Sequence, residues 1–268
     1  MRVELLVIDP QNDFVQPNGA LYVNGADADM TRLAAMVQRI GKKLDDIHVT
    51  LDSHHVVDVA HPIFWKDRNG NHPNPFTIIS VDDLDQGVWT TTNPGHFRRM
   101  RDYVEALASG GRYPLCVWPE HCLIGSWGHN VYDKLFAALT AWERSEFGVV
   151  DYVTKGSNIF TEHYSAVKAE VVDPTDPTTQ INFPLIQTLE NADLIAVAGE
   201  AGSHCLANTV RDIAANFADP NAVKKIVLLT DATSPVTGAL DFTLYQTQFI
   251  QDMVAKGMQL STTTDFLK

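Results

Sequence analysis

The chain has 268 residues, of which 45% are hydrophobic and 20% charged, and it carries a net charge of −13. That composition can fill the core of one large domain, while an acidic surface repels phosphate backbones and anionic lipid, so neither nucleic acid nor a membrane is expected as a partner. No apolar run approaches the roughly 18 residues that a bilayer span needs, and three cysteines are too few to staple so long a chain, which points to a reduced, cytoplasmic protein.

In chain order, short β-type runs alternate with helical patterns, as in βαβ units on a parallel sheet. The first run, 4–8, reads as an opening strand and not as a leader. A helix follows over 29–44, with Met30, Leu33, Ala34, Val37, Ile40 and Leu44 on one stripe. Next come a strand at 47–51, helices near 97–108 and 131–146, and strands at 149–153 and 194–198. A helix over 204–218 puts Leu206, Val210, Ile213 and Phe217 on one face, and a strand at 225–229, a helix at 240–256 and a weaker strand near 258–261 complete the pattern. The strands are apolar throughout, as strands covered on both faces are. Two stretches break the rhythm, 52–96 and 156–184. Long irregular segments of this kind usually form lids or binding loops.

In open α/β sheets ligands bind beyond the carboxyl ends of the strands. Asp9 follows the first strand, Asp52-Ser53-His54-His55 the second, Lys155-Gly156 the third, and Gly199-Glu200-Ala201-Gly202-Ser203-His204-Cys205 the fourth. A carboxylate, a metal-ligand pair, an ammonium and a thiol therefore converge on one rim. Cys205 opens a helix, where the dipole and free N–H groups favour the thiolate and can hold an oxyanion. The plainer alternative is a small cysteine packed in the core. Asp9 can accept a thiol proton and later return it to a leaving amine, or it merely caps a turn. Lys155 holds both groups charged, or it is a solvated surface cation. Asp52 and His54, with His121 farther along, are ligand types suited to zinc, iron or manganese.

Several segments together resemble the nicotinamidase branch of the isochorismatase-like cysteine hydrolases. They are Ile8-Asp9-Pro10-Gln11-Asn12-Asp13-Phe14, Asp52-Ser53-His54, Trp118-Pro119-Glu120-His121-Cys122, Lys155-Gly156 with Tyr164-Ser165, and Gly199 to Cys205, in an order running from residue 3 to about 235. The resemblance implies a three-layer α/β/α fold with a six-stranded, mostly parallel sheet, in one domain over 1–268. It implies a metal-containing amidohydrolase that converts nicotinamide to nicotinate and ammonia through a cysteine thioester. Asp9, Lys155 and Cys205 would form its catalytic triad. Asp52, His54 and His121, with His61 as a candidate fourth ligand, would hold one divalent metal ion, zinc ahead of iron or manganese. Phe14 and Trp118 would wall a flat ring. A cis peptide at Glu200–Ala201 would let the Ala201 and Cys205 N–H groups form an oxyanion hole. The family commonly assembles into homo-oligomers.

The chain departs from that pattern in a long inserted loop region at about 62–117, in the spacing of the His55 to His61 loop, and at Glu200, where such proteins usually carry an aliphatic residue. These departures bear on the substrate more than on the chemistry. The alternatives are the same fold acting on another small amide, or on isochorismate without metal; a metal-bound water as the attacking group; and a binding protein without turnover. Cys116 and Cys122 read as core. His48, His72, His96, His129 and His163 read mostly as surface residues, and His204 is given no role because its side chain is expected to point away from the thiol.

Overall fold

The computed structural model describes residues 1–268. Its central sheet contains β1 (Val3–Ile8), β2 (Asp46–Asp52), β3 (Asp151–Lys155), β4 (Leu194–Gly199), β5 (Ile226–Leu229) and β6 (Gln259–Ser261). They lie in the order β6-β5-β4-β1-β2-β3, and every neighbouring pair is parallel. The helices of eight residues or more are α1 (Ala26–Ile40), α2 (Phe97–Ser109), α3 (Asp133–Glu146), α4 (Phe183–Glu190), α5 (Cys205–Asn216) and α6 (Thr243–Ala255). α1 packs against α3 and α5 against α6, and β1 is buried along its whole length, as a strand covered on both faces must be. No helix is long and apolar enough to cross a membrane.

The strand order decides where a site can form. From β1 the chain builds outward through β2 to β3, then returns to lay β4 on the other side of β1. At such a reversal the flanking loops diverge and leave a crevice beyond the carboxyl ends of the two strands. Asp9 and Cys205 are the residues delivered to that crevice.

Two expectations shift. β3 starts two residues later than its apolar run and ends on Lys155, because pairing with β2 sets Lys155 opposite Asp52. α4 was not expected, since eight residues are too few to show a helical period; Asn182 caps it by accepting from the Leu185 N–H at 3.2 Å, with a proline in the first turn. The region at 62–117 carries structure of its own. Two short antiparallel strand pairs, a one-turn helix (Val81–Asp85) and α2 close over a satellite core of 11 residues that includes Trp65, Met100, Tyr103 and Leu107. Its apolar residues are spread thinly among polar ones and meet only through non-local pairing, which local periodicity does not reveal.

Candidate active site

Four strand ends meet at the crevice. Asp9 leaves β1 with φ of 43°; its N–H donates to Thr50 Oγ1 at 3.0 Å and its Oδ1 accepts the Thr50 hydroxyl at 2.5 Å. Lys155 Nζ lies 2.9 Å from Asp9 Oδ2, 2.8 Å from Asp52 Oδ1 and 3.6 Å from Cys205 Sγ. Asp9, Asp52 and Cys205 bring an oxygen, an oxygen and the sulfur within 4.8 Å of one another. All four residues are buried. The turn after β4 is close enough to β1 that a Cβ on Gly199 (φ 116°) would stand 2.1 Å from the Ile8 carbonyl oxygen, so only glycine fits there.

Burial sets the protonation pattern. It pushes the Cys205 thiol well up, the Asp9 and Asp52 carboxylates add to that, and Lys155 opposes it. The helix start favours the thiolate, whereas desolvation and the two neighbouring carboxylates favour the thiol. Burial also raises Asp9, against the pull of Lys155, which makes it the better proton acceptor. Lys155 stays an ammonium: burial opposes its charge, but Asp52 and Asp9 raise it well above the usual lysine range.

Beside this trio lies a cluster of imidazoles. His54 Nδ1 faces Asp58 Oδ2 at 3.0 Å, which leaves Nε2 turned to Asp52 Oδ2 at 3.1 Å. His121 Nδ1 donates to the Pro119 carbonyl at 2.8 Å, and its Nε2 stands 3.4 Å from the same Asp52 oxygen. Ligand atoms of Asp52, His54 and His121 all lie within 4.8 Å of one another. Each histidine thus has one nitrogen fixed from outside and the other turned toward Asp52 Oδ2, the arrangement of metal-binding imidazoles, and two nitrogens with one carboxylate oxygen suit a divalent ion such as zinc. His61 joins the ring cluster, but its Nδ1 is held by the His55 and Val56 carbonyls and its Nε2 meets His121 Nδ1 at 3.4 Å, away from that point.

A small cavity opens onto Cys205. Phe14, Leu21, Val23, Trp118, Tyr164 and Val236 form its apolar walls, with Asp52 and His121 on the side of the imidazole cluster and Ala201 beside the sulfur. Trp118 is fixed by its Nε1 donating to Tyr164 Oη at 3.1 Å. The Glu200–Ala201 bond is cis, and the N–H groups of Ala201 and Cys205 take no backbone carbonyl as partner.

Two titratable wall residues escaped the sequence reading as site residues. Glu162 is buried with one oxygen lacking any hydrogen-bond partner, and burial raises it well above the usual carboxylate range; its only signal was its place in the irregular 156–184 stretch. His204 lines the cavity, stacked on Tyr113 with ring centroids 4.8 Å apart, and burial lowers it to about 3, so it is neutral. It had been expected to point away; the turn that precedes α5 swings it inward instead. His48 and His163 are likewise buried, not surface residues, His48 between Glu4 and Asp151 and His163 accepting the Gly156 N–H at 3.3 Å. Cys116 and Cys122 are buried and unpaired, as expected of core cysteines.

No family model matches the chain. A nicotinamidase from Saccharomyces cerevisiae is 23% identical over 162 residues, a stretch spanning 60% of this chain and 60% of that relative's length. Among solved structures, the yeast nicotinamidase superposes with a TM-score of 0.66 at 18% identity, over 96% of this chain and 98% of that one. A nicotinamidase and pyrazinamidase from Acinetobacter baumanii gives 0.63 at 20% identity, over 99% and 98%, and a Pyrococcus horikoshii pyrazinamidase in complex with zinc gives 0.55 at 16%, over 98% and 99%. The chain has the fold of these nicotinamidases and pyrazinamidases, and its similarities agree with the nicotinamidase branch of the isochorismatase-like cysteine hydrolases that its motifs resemble.

Proposed function

We propose that the protein is a cysteine-dependent amidohydrolase acting on a small aromatic amide, with nicotinamide as the foremost substrate. The observation that carries this is the single ammonium of Lys155, within 3.6 Å of Cys205 Sγ and within 3 Å of two carboxylates. A structural thiol has no need of such company, and a thiol that must shed its proton inside a dry site does.

Asp9 takes the proton of Cys205 while Lys155 balances the growing negative charge. The sulfur attacks the amide carbon, and the free N–H groups of Ala201 and Cys205 receive the developing oxyanion, each such donor contributing about 3–4 kcal/mol to rate. Asp9 then passes its proton to the amide nitrogen as the C–N bond breaks and ammonia leaves. Water, deprotonated by Asp9, attacks the resulting thioester, and the acid product departs as the sulfur recovers a proton. Phe14 and Trp118 hold the ring flat, so that the carboxamide faces the sulfur. Asp52, His54 and His121 would hold a divalent ion, which supplies a coordination position for a ring nitrogen or for a water in its place.

Ammonia release from nicotinamide and from a panel of small amides tests the reading. Wild-type turnover is expected with nicotinamide, and Cys205→Ala should lower kcat by at least about 10⁴-fold while nicotinamide still binds in calorimetry. A variant that continues to release ammonia overturns Cys205 as the nucleophile. Metal analysis of the purified protein separates this reading from a metal-free isochorismate hydrolase.

A further inference from the structure

The rim holds a second buried carboxyl pair that this reaction does not use. Glu200, fully buried, faces Asp29 of α1, which is 3% exposed. Asp29 pairs with Arg32 through one oxygen and accepts the Ser234 hydroxyl through the other at 2.6 Å. Glu200 Oε2 accepts the Ser234 N–H at 3.1 Å, while its Oε1 meets no donor. The cation paired with Asp29 is Arg32, and its side chain is 44% exposed. Two carboxylates cannot both be ionised face to face on so little compensation, so one keeps its proton. Asp29 already has a guanidinium and a hydroxyl donor; the proton therefore belongs to Glu200. Burial first, and then the Asp29 charge, push Glu200 well above the usual carboxylate range.

Ser234 connects this pair to the site. Its carbonyl accepts the Gly202 N–H at 2.9 Å, and two residues on, the Val236 N–H donates to Ser203 Oγ at 3.0 Å. Val236 is a wall of the cavity. The Glu200 N–H donates to the Ile8 carbonyl at 2.8 Å, one residue before Asp9. We propose that Glu200 is a positioning residue: a neutral carboxyl group, donating to Asp29 and accepting from Ser234, that fastens the 233–236 segment against the turn carrying the Ala201 and Cys205 N–H groups. This rests on reading those groups as the oxyanion donors. Ionising Glu200 sets two like charges against each other, releases Ser234 and loosens both the donors and the Val236 wall. The charged groups that bear on Glu200 are Asp29 and Arg32, both from α1; the segment after β5 meets it through Ser234, and β1 through the Ile8 carbonyl.

Two substitutions test this. Glu200→Gln keeps a donor and an acceptor but has no proton to lose, whereas Glu200→Leu keeps the bulk and lacks both. At neutral pH the Gln variant should lose less than about threefold in kcat with nicotinamide and the Leu variant about tenfold or more, with KM moving less than about threefold. The alkaline fall of kcat should set in at higher pH in the Gln variant than in the wild type. Melting temperatures give a readout independent of turnover. A group whose folded pKa is raised contributes stability at low pH that is lost as pH rises, so the Gln variant should gain on the wild type steadily as pH rises above the ordinary carboxylate range. Leu equal to wild type in kcat, Gln as damaged as Leu, or a melting difference flat with pH overturns the proposal. If the Leu variant does not fold, the Gln comparison alone decides. Should the wild type release ammonia from no amide, the functional reading falls, while the melting series still reports whether Glu200 holds a proton.

Discussion

Two buried carboxyl pairs stand on one rim, and they are stabilised in opposite ways. Between Asp9 and Asp52 sits the Lys155 ammonium, fully enclosed and touching both. Between Asp29 and Glu200 there is no such cation, because Arg32 approaches one of them only, from a side chain that remains 44% exposed. The first pair therefore keeps charge available for proton transfer, and the second is held by a proton. A third pair, with one carboxylate buried and the other exposed, shows an intermediate case: His48 lies between Glu4 and Asp151, at 3.3 Å and 2.9 Å, so their cation is itself titratable. What lies between two carboxylates, and not the carboxylates themselves, decides whether a site does chemistry, holds a turn or answers to pH.

The strongest way to break this comparison is to remove the enclosed cation. Lys155→Met leaves Asp9 and Asp52 facing each other without compensation, and the loss of one partner from a buried ion pair costs about 3–5 kcal/mol. Turnover should fall to the level of Cys205→Ala, and the melting temperature should drop steeply; a stable variant would mean that the two carboxylates never shared the lysine charge. A smaller effect is expected from Asp58→Asn. Asp58 orients His54 from behind at 3.0 Å, and loss of such a partner lowers metal affinity by about 10–100-fold. Titration with zinc, read by competition with a chelator, measures this, and unchanged affinity would remove His54 from the ligand set. The smallest effect concerns His48. Burial works against its charge, yet the Glu4 carboxylate 3.3 Å away and the hydrogen bond to Asp151 raise its pKa. A raised folded pKa contributes stability below the unfolded value of about 6.5 that is lost as pH rises through the folded value. His48→Gln should thus melt about 2–4 °C below the wild type in mild acid and converge with it above neutrality; a gap that widens with pH would reverse the assignment.

Much of the site could be read from the strand ends. Asp9, Asp52, Lys155 and Cys205 follow short apolar runs, and a parallel sheet sends all such ends to one rim. Glu162 and His204 left no mark, since a wall residue is defined by what faces it across a cavity and not by its neighbours in the chain. The Asp29 and Glu200 pair was equally silent: Asp29 looked like an ordinary acidic residue in the first turn of α1, and its partner lies 171 positions away.

Alternation of apolar runs with helical stripes was enough, by itself, to establish a parallel α/β sheet and to say which side chains end its strands, because hydrophobic burial imposes local periodicity. The order of those strands, the side of Asp52 on which Lys155 lands, and the burial and charges that act on the thiol were decided only in three dimensions. These depend on desolvation and on charges brought together from distant segments, and no local pattern encodes how far a group will stand from water.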